Sequence, residues 1–337
     1  MTKIAIAGVQ SNVGREILSF LYENNFKADD IIALESKAPL GTQISFGEDD
    51  ELDIINLDEF TFDNTDIAVF ATNDVIAKKY VTKALAKNVK IIDCSSAFAS
   101  DEDVPMVIAG LNNDKIMSAS RGLISIPSAN VTQMLTPLIK VSQQYGISRI
   151  VVSTYTSTSV YGKEAMDELF SQTRRIYMNS PIIDDQKIFK KQIAFNVIPQ
   201  VEDFIGEETH AEWAMNAEAK KVLNTNIKVH ANCAVIPAFI GSAMYVNVEC
   251  SDDVDVDDIR KLMKETNGVV VFDKNTDGGY VCLTDIQGED NVYVSRLRQD
   301  TSIENGFSFW CVADDLRACV AKNAFEIIKL ILAIKKQ

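Results

Sequence analysis

One stretch of the chain predicts a helix N-terminus at which a side chain could do nucleophilic chemistry. From Gly122 to Met134 the residue types predict a buried apolar run, a proline-led turn and then an amphipathic helix. A side chain at position 129 would lie at the N-terminus of that helix, where backbone N–H groups and the helix dipole lower the pKa of a thiol and stabilise an oxyanion. The residue is Ala129, and its methyl group cannot attack a carbonyl.

A glycine-containing turn near the N-terminus is the second candidate. Gly8 and Gly14 follow an apolar strand and precede a helix, a pattern that places a nucleotide phosphate at a helix N-terminus. Glu35 ends the second strand, where a carboxylate could bond a ribose 2′-hydroxyl and would repel a 2′-phosphate. A plain strand-to-helix turn and an exposed loop carboxylate are the alternatives. The predicted nucleotide-binding residues are Gly8, Gln10, Ser11, Asn12, Val13 and Glu35.

Other chemistry-bearing residues are sparse or show no site spacing. The only histidines are His210 and His230, and we expect His210 to be a surface cap at the start of a helix. The acidic run Asp252–Asp258 indicates a solvated helix entry rather than a cation site. No metal-ligand spacing or secretory signal accompanies the cysteines, which predicts no metal site and reduced, mostly buried thiols in a cytoplasmic protein. They are Cys94, Cys233, Cys250, Cys282, Cys311 and Cys319.

Composition limits the function classes. A chain of 337 residues with 47 % hydrophobic and 24 % charged residues is typical of a globular protein with two domains. The net charge of −15 repels nucleic acid and disfavours polyanionic ligands, although a local basic pocket could override that average. Apolar runs stay below the roughly 18–20 residues that a membrane span requires. We therefore expect neither nucleic acid nor membrane as a partner.

The elements that would position these residues fall into two groups. Short apolar strands at 3–7, 31–34, 67–71 and 89–93 alternate with amphipathic helices, which predicts a Rossmann-like, doubly wound parallel sheet. After about residue 147 the strands become longer and more polar and follow one another directly, which predicts an α+β domain with a mostly antiparallel sheet. One of these strands is predicted at Gly279–Leu283.

The final helix, predicted from Leu316 to about Ile334, is expected to pack back on the first domain. The predicted domains are therefore residues 1–130 with 318–337, and residues 131–317. The stretch 180–212 is predicted to be irregular, with short strands and loops.

Several motifs form one set along the chain. It comprises Ile92-Asp-Cys-Ser-Ser-Ala-Phe98 with Asp101-Glu-Asp-Val-Pro105, Ser153-Thr-Tyr155 leading to Gly162-Lys-Glu-Ala-Met-Asp-Glu-Leu169, Ala194-Phe-Asn-Val-Ile-Pro-Gln200, and Asp315-Leu-Arg317 with Asn323-Ala324. Together they resemble the aspartate-semialdehyde dehydrogenase family over essentially the whole chain. The resemblance implies reductive dephosphorylation of aspartyl phosphate with NADPH, through a cysteine thioester, in amino-acid biosynthesis. It also implies an α+β domain that forms a dimer.

The residues that this reaction needs are replaced. The resemblance places the catalytic cysteine, glutamine and histidine at Ala129, Thr156 and Ser242. It places the substrate-binding residues at Ala99, Ser128, Ala214 and Val235. Each replacement removes charge, nucleophilicity or a polar group, so no catalytic or substrate-binding residue is expected to be intact. The pattern is similar to the USG-type paralogues of the dehydrogenase, which lack the same cysteine.

Cofactor positions are altered as well. The paired glycines that the family has after the third strand are Asn73 and Asp74, and the arginine that would meet a 2′-phosphate falls near Ala38. NADP or NAD is implied by the family, and Glu35 favours NAD. We expect a protein with a binding or structural role, as a homodimer or as a mixed dimer with a true dehydrogenase. The alternative is an active NAD(P)-dependent oxidoreductase that uses altered residues, for which Cys94, Ser128 and Tyr161 are the candidates.

Overall fold

The computed structural model describes residues 2–181 and 188–335. The chain divides into two compact units. The first comprises Met1–Ala129, Lys221–Leu223 and Val320–Gln337, and the second comprises Asn130–Lys220 and Asn224–Cys319. The predicted fold class, a Rossmann-like parallel sheet followed by a domain of mixed helices and strands, is confirmed.

The first unit is built on a seven-stranded sheet. Its strands are β1 (Ile4–Ala7), β2 (Ile31–Glu35), β3 (Gln43–Phe46), β4 (Asp50–Asn56), β5 (Ile67–Phe70), β6 (Lys90–Asp93) and β7 (Leu123–Ser125), in the order β3-β4-β2-β1-β5-β6-β7. Its helices include α1 (Asn12–Glu23), α2 (Asp74–Leu85) and α3 (Asp114–Met117). All neighbouring strands are parallel except β3 and β4.

Burial explains which strands were predictable. Every residue of β1 and β5 is buried, as expected for central strands of a parallel sheet covered on both faces. In contrast, β3 and β4 alternate exposed with buried residues and carry several acidic side chains, so their sequence carries no continuous apolar signal. Parallel neighbours align their carboxyl ends at one edge of the sheet, and the glycine turn follows β1 at that edge.

Two glycines are required where β1 passes into α1. Gly8 adopts φ +83°, and a Cβ there would lie 2.3 Å from the carbonyl oxygen of Ala71. A Cβ on Gly14 would lie 2.2 Å from the carbonyl oxygen of Gly8. Close packing of helix on strand therefore demands both glycines whether or not a nucleotide binds.

The second unit contains a mixed sheet with helices against it. Its strands are β8 (Ile147–Thr156), β9 (Phe204–Ile205), β10 (Glu208–Thr209), β11 (Lys228–Val235), β12 (Ser242–Cys250), β13 (Val269–Val271), β14 (Val292–Gln299) and β15 (Gly306–Ala313). The main sheet has the order β11-β8-β12-β15-β14-β13, with parallel pairings at its two ends and antiparallel pairings between them. The helices are α4 (Ala129–Leu135), α5 (Ile139–Tyr145), α6 (Lys163–Tyr177), α7 (His210–Leu223) and α8 (Val256–Lys264).

The chain ends in two helical segments rather than one. A π-helical segment, Asp315–Ala321, precedes helix α9 (Lys322–Lys335). Helix α9 packs on α1 within the first unit, where the rings of Phe20 and Phe325 stack with their centroids 5.6 Å apart. The prediction of one regular helix from Leu316 is wrong over its first turns, because an apolar period does not reveal a shift in backbone hydrogen bonding.

Three further predictions need correction or comment. Gly279–Leu283 is not a strand: a Cβ on Gly279 would lie 2.3 Å from the carbonyl oxygen of Lys274, so the chain turns there. His210 is not the cap of α7, since the side chain of Thr209 accepts from the backbone of Glu212 in a capping box. His210 Nδ1 instead lies 2.5 Å from a carboxylate oxygen of Glu202. In the stretch 180–212, the small β9–β10 hairpin is present, and residues 182–187 lie outside the described part of the chain.

Candidate functional site

Three predicted site positions meet in one row of the second unit's sheet. Thr156, the last residue of β8, pairs with Val235 of β11 on one side and with Ser242 of β12 on the other. All three are fully buried, with 0 % of their surface exposed. The strand register therefore brings together the positions that the resemblance assigns to a glutamine, an arginine and a histidine.

Hydroxyl and amide groups surround this row. Ser242 Oγ donates to Asn130 Oδ1 at 3.1 Å, and Gln133 Nε2 donates to the backbone oxygen of Ser242 at 2.9 Å. Thr156 Oγ1 has no hydrogen-bond partner among the described residues. We call the half-buried Asn130 and the buried residues Gln133, Thr156, Ser242 and Asp315 the buried polar cluster. Its first four members are neutral, so none of them can act as a base or hold an anion by charge.

The fifth member, Asp315, supplies a titratable group that the sequence analysis did not assign to the site. Its carboxyl group is fully buried and accepts from the backbone N–H of Leu316 at 3.2 Å and from that of Gly241. Desolvation, followed by the neighbouring charge of Asp314, raises the pKa of Asp315 to about 7. The available signal was its place in the Asp315-Leu-Arg317 motif, directly after a buried strand.

The other predicted catalytic and substrate positions carry no reactive group. Ala129 is the first residue of α4 and is half-buried, while Ser128 before it is exposed. Ala214 is buried on α7. Ala99 offers only its backbone oxygen, which accepts from Lys221 Nζ at 2.7 Å. The role of these positions as a former site stays a prediction.

In the first unit, the glycine turn contacts Glu35, and the role of both in binding a nucleotide stays a prediction. Ser11 Oγ caps α1 by accepting from the backbone of Gly14, and it donates to the backbone oxygens of Gly8 and Ala71 at 2.7 and 3.0 Å. Glu35 Oε2 accepts from the backbone N–H of Gln10 at 3.3 Å. Asn12 is exposed at the start of α1, and Val13 packs against the core. The carboxylate of Glu35 thus already accepts a hydrogen bond from one backbone N–H group of this turn.

A second carboxylate accepts hydrogen bonds from the segment whose sequence resembles a phosphate-binding motif. Ser96, within the segment that resembles a phosphate-binding motif, donates its backbone N–H to Asp74 Oδ1 at 3.0 Å and its Oγ to Asp74 Oδ2 at 2.7 Å. Beside it, Asp93 is buried, and desolvation raises the pKa of its carboxyl to about 7 against the opposing bonds from Ser95.

The 2′-phosphate of NADP does not fit beside Glu35, because that carboxylate would repel it. The carboxylate of Asp74 would repel a pyrophosphate placed beside Ser96 in NAD and NADP alike. The carboxylate of Glu35 suits ribose hydroxyls, which is the requirement of NAD.

Two of the alternative nucleophiles are deactivated by their surroundings. Cys94 is half-buried, and desolvation of its thiol together with the charge of Asp93 raises its pKa well above the usual value. Desolvation also raises the pKa of Tyr161, whose hydroxyl accepts from the backbone of Glu202 at 2.9 Å. Neither residue forms an anion readily at neutral pH, and the anion is the nucleophilic form.

The described residues hold no group of three or more His, Cys, Asp or Glu side chains placed to bind a metal ion. Within residues 2–181 and 188–335, every helix is too short or too polar to span a lipid bilayer.

Comparison with known proteins matches the chain along its length. A family model described as the NAD binding domain of semialdehyde dehydrogenase matches residues 3–119, and one described as the dimerisation domain matches residues 135–318. The aspartate-semialdehyde dehydrogenase of Rickettsia bellii is 36 % identical over 335 residues, which cover 97 % of each chain.

Solved structures agree with the sequence matches. Aspartate semialdehyde dehydrogenase II of Vibrio cholerae, complexed with ASA, superposes with a TM-score of 0.93 at 32 % identity and covers 99 % of this chain and 98 % of that one. The enzyme of Candida albicans with NADP, at 16 % identity and a TM-score of 0.74 over 100 % of this chain and 99 % of that one, shows the shared fold alone.

Proposed function

We propose, from the premise that the chain belongs to the aspartate-semialdehyde dehydrogenase family, that it is a USG-type member without dehydrogenase activity and with a binding role on the same scaffold. The observation that carries this proposal is Ala129 at the first position of α4. The family reaction forms a thioester when a thiolate attacks a carbonyl carbon. A methyl group has no electron pair with which to form that bond.

The buried polar cluster supports the same proposal. A thioester route needs a group that accepts and returns a proton, and an imidazole suits that task at neutral pH. Ser242 stands at the position of the family histidine, and its hydroxyl donates to Asn130. Val235, at the position of the family arginine, offers only an apolar side chain and cannot bind a carboxylate. The four neutral members of the cluster are therefore suited to packing, and Asp315 is the one member of the cluster that can exchange a proton.

A binding role also needs a partner. Residues 135–318 match a dimerisation domain. We take a second copy of this chain as the partner, with a mixed dimer with a true dehydrogenase as the competing arrangement.

Turnover and mass together test the proposal. Purified protein supplied with aspartate semialdehyde, phosphate and NADP or NAD should reduce no more cofactor than a protein-free blank, and sedimentation should give the mass of a dimer. A family dehydrogenase assayed in parallel serves as the positive control. Robust phosphate-dependent turnover would refute the loss of activity. A monomer that pairs only with added dehydrogenase would favour the mixed dimer.

Nucleotide affinity should reflect the two internal carboxylates. In calorimetric titration we expect NADH to bind at least about tenfold more tightly than NADPH, because Glu35 repels a 2′-phosphate. Asp74→Asn should strengthen binding of both nucleotides by about fivefold, since it removes a negative charge beside the donors of Ser96. Asp253→Asn on the acidic loop, with the same change in net charge, should leave both affinities unaltered. Tighter binding of NADPH than of NADH would contradict this assignment.

A further inference from the structure

A basic cavity lies in the second unit, and none of its lining residues belongs to the site described above. Its volume is about 710 Å³, within the range of pockets that hold small organic molecules. Four cationic side chains line it, namely Arg260, Lys274, Arg296 and Arg298. They face two carboxylates, Asp273 and Asp277, so the lining is net positive in a chain whose net charge is −15.

Asp273 fixes the cationic wall in place. Its side chain is only 11 % exposed and forms an ion pair with Arg260 Nη1. Its Oδ1 accepts from the backbone N–H of Arg296 at 2.7 Å. Arg296 adopts φ +56°, in the left-handed region that a non-glycine residue occupies only when its surroundings impose it. The irregularity in β14 between Ser295 and Arg298 has the same location. One buried carboxylate therefore contacts the side chain of one arginine and the backbone of another, and Arg260 also has the exposed carboxylate of Asp257 at 3.9 Å.

The remaining cations contact aromatic rings and a backbone oxygen, and the charge of Arg298 also acts on the nearby carboxylate of Asp300. Lys274 lies over the ring of Phe272 at 5.1 Å from its centroid. The guanidinium of Arg298 donates to the backbone oxygen of Arg296 at 3.3 Å and lies 6.0 Å from the ring centroid of Tyr245. A backbone oxygen and an aromatic face orient a cation without cancelling it. These side chains present oriented donors to a ligand in the cavity.

From this arrangement we propose that the cavity binds a small phosphorylated molecule. Guanidinium groups match the geometry of phosphate oxygens and bond them in pairs. The volume exceeds that of a single inorganic ion, and Asn275, Thr276 and Tyr280 in the lining offer hydrogen bonds to the rest of such a molecule. The site shares no residue with the buried polar cluster or the glycine turn, so it stands independently of the proposed function.

The test uses pyrophosphate as the probe and calorimetry on the full chain. We expect saturable binding with Kd below about 1 mM. Lys274→Gln/Arg298→Gln should weaken it at least about tenfold, because both changes remove charge-assisted bonds. The control Lys140→Gln/Lys329→Gln changes net charge equally but removes ion pairs with Glu265 and Glu326 and the contact of Lys329 with the Phe325 ring. It should alter the Kd less than about twofold.

A variant expected to bind pyrophosphate more tightly serves as a control for misfolding. Asp277→Asn removes a carboxylate from the lining and should tighten pyrophosphate binding by about threefold, which a misfolded protein would not do. Absence of saturable binding, or equal losses in the two double variants, would overturn the site. Citrate binding as tightly as pyrophosphate would overturn the phosphate preference. Measured turnover of aspartate semialdehyde would change none of these outcomes, so the two proposals fail separately.

Discussion

Ala129→Cys is expected to leave the protein without measurable semialdehyde dehydrogenase turnover. The new thiol would lie at the first position of α4, where the helix dipole favours a thiolate. A thiolate alone, however, cannot complete the reaction. Thr156, Val235 and Ser242 would still present a hydroxyl, an apolar side chain and a second hydroxyl where the chemistry needs an amide, a cation and a base.

The size of this effect follows from how catalytic groups cooperate. In sets that act as a unit, removing one member costs about 10⁴ to 10⁶ in kcat, nearly as much as removing all of them. The converse is that restoring one member alone recovers little. Phosphate-dependent reduction of NADP with aspartate semialdehyde measures the result, against a family dehydrogenase as the reference.

Thiol labelling distinguishes an unreactive thiol at position 129 from a reactive thiol that does not support turnover. Ala129→Cys should react with a thiol-selective electrophile faster than the control Ser118→Cys, whose thiol would be exposed without a helix N-terminus beside it. Labelling at 129 without turnover would support the multiple loss. Appreciable turnover in the single variant would show that the replacements at Thr156, Val235 and Ser242 do not limit the chemistry.

In the first unit, strands were predictable where burial is continuous and not where it alternates. The sequence predicts the apolar strands β1, β2, β5 and β6, because both faces of a parallel sheet are covered and each strand is then a run of apolar residues. The β3–β4 pair was missed since its exposed face is polar and acidic.

For the site, the sequence predicts which residue types are missing but not how their positions relate. The pairing of Thr156 with both Val235 and Ser242 depends on the register of three strands far apart in the chain. The bonds from Ser96 to Asp74 depend likewise on the ends of β6 and β5 meeting at one edge. Such contacts leave no local signal. The raised pKa of Asp315 also leaves no local signal in the sequence, because folding removes water from around its carboxyl group.

The buried carboxyl of Asp315 should make the stability of the protein fall as pH rises. Its pKa is about 7 in the folded state and 3.8 when unperturbed. Between those values the folded state holds more protons than the unfolded state, so the free energy of unfolding decreases with pH through this window and levels off above it. A shift of about three pH units corresponds to about 4 kcal/mol at pH 8. Asp93 adds an effect of the same sign in the first unit.

Asp315→Asn removes the ionisation and keeps the size of the side chain. By urea unfolding, its stability relative to the native sequence should rise by about 2–3 kcal/mol between pH 5 and pH 8. Asp315 Oδ2 has no hydrogen-bond partner among the described residues, so an amide there costs free energy. That cost is the same at pH 5 and pH 8, and it therefore cancels from the difference in stability. Asp253→Asn, at an exposed carboxylate, is the matched control and should show no such rise. A relative stability of Asp315→Asn that is equal at pH 5 and pH 8 would mean that Asp315 is not held neutral by burial. The buried polar cluster would then contain a permanent charge at neutral pH, and such a charge requires a cationic partner.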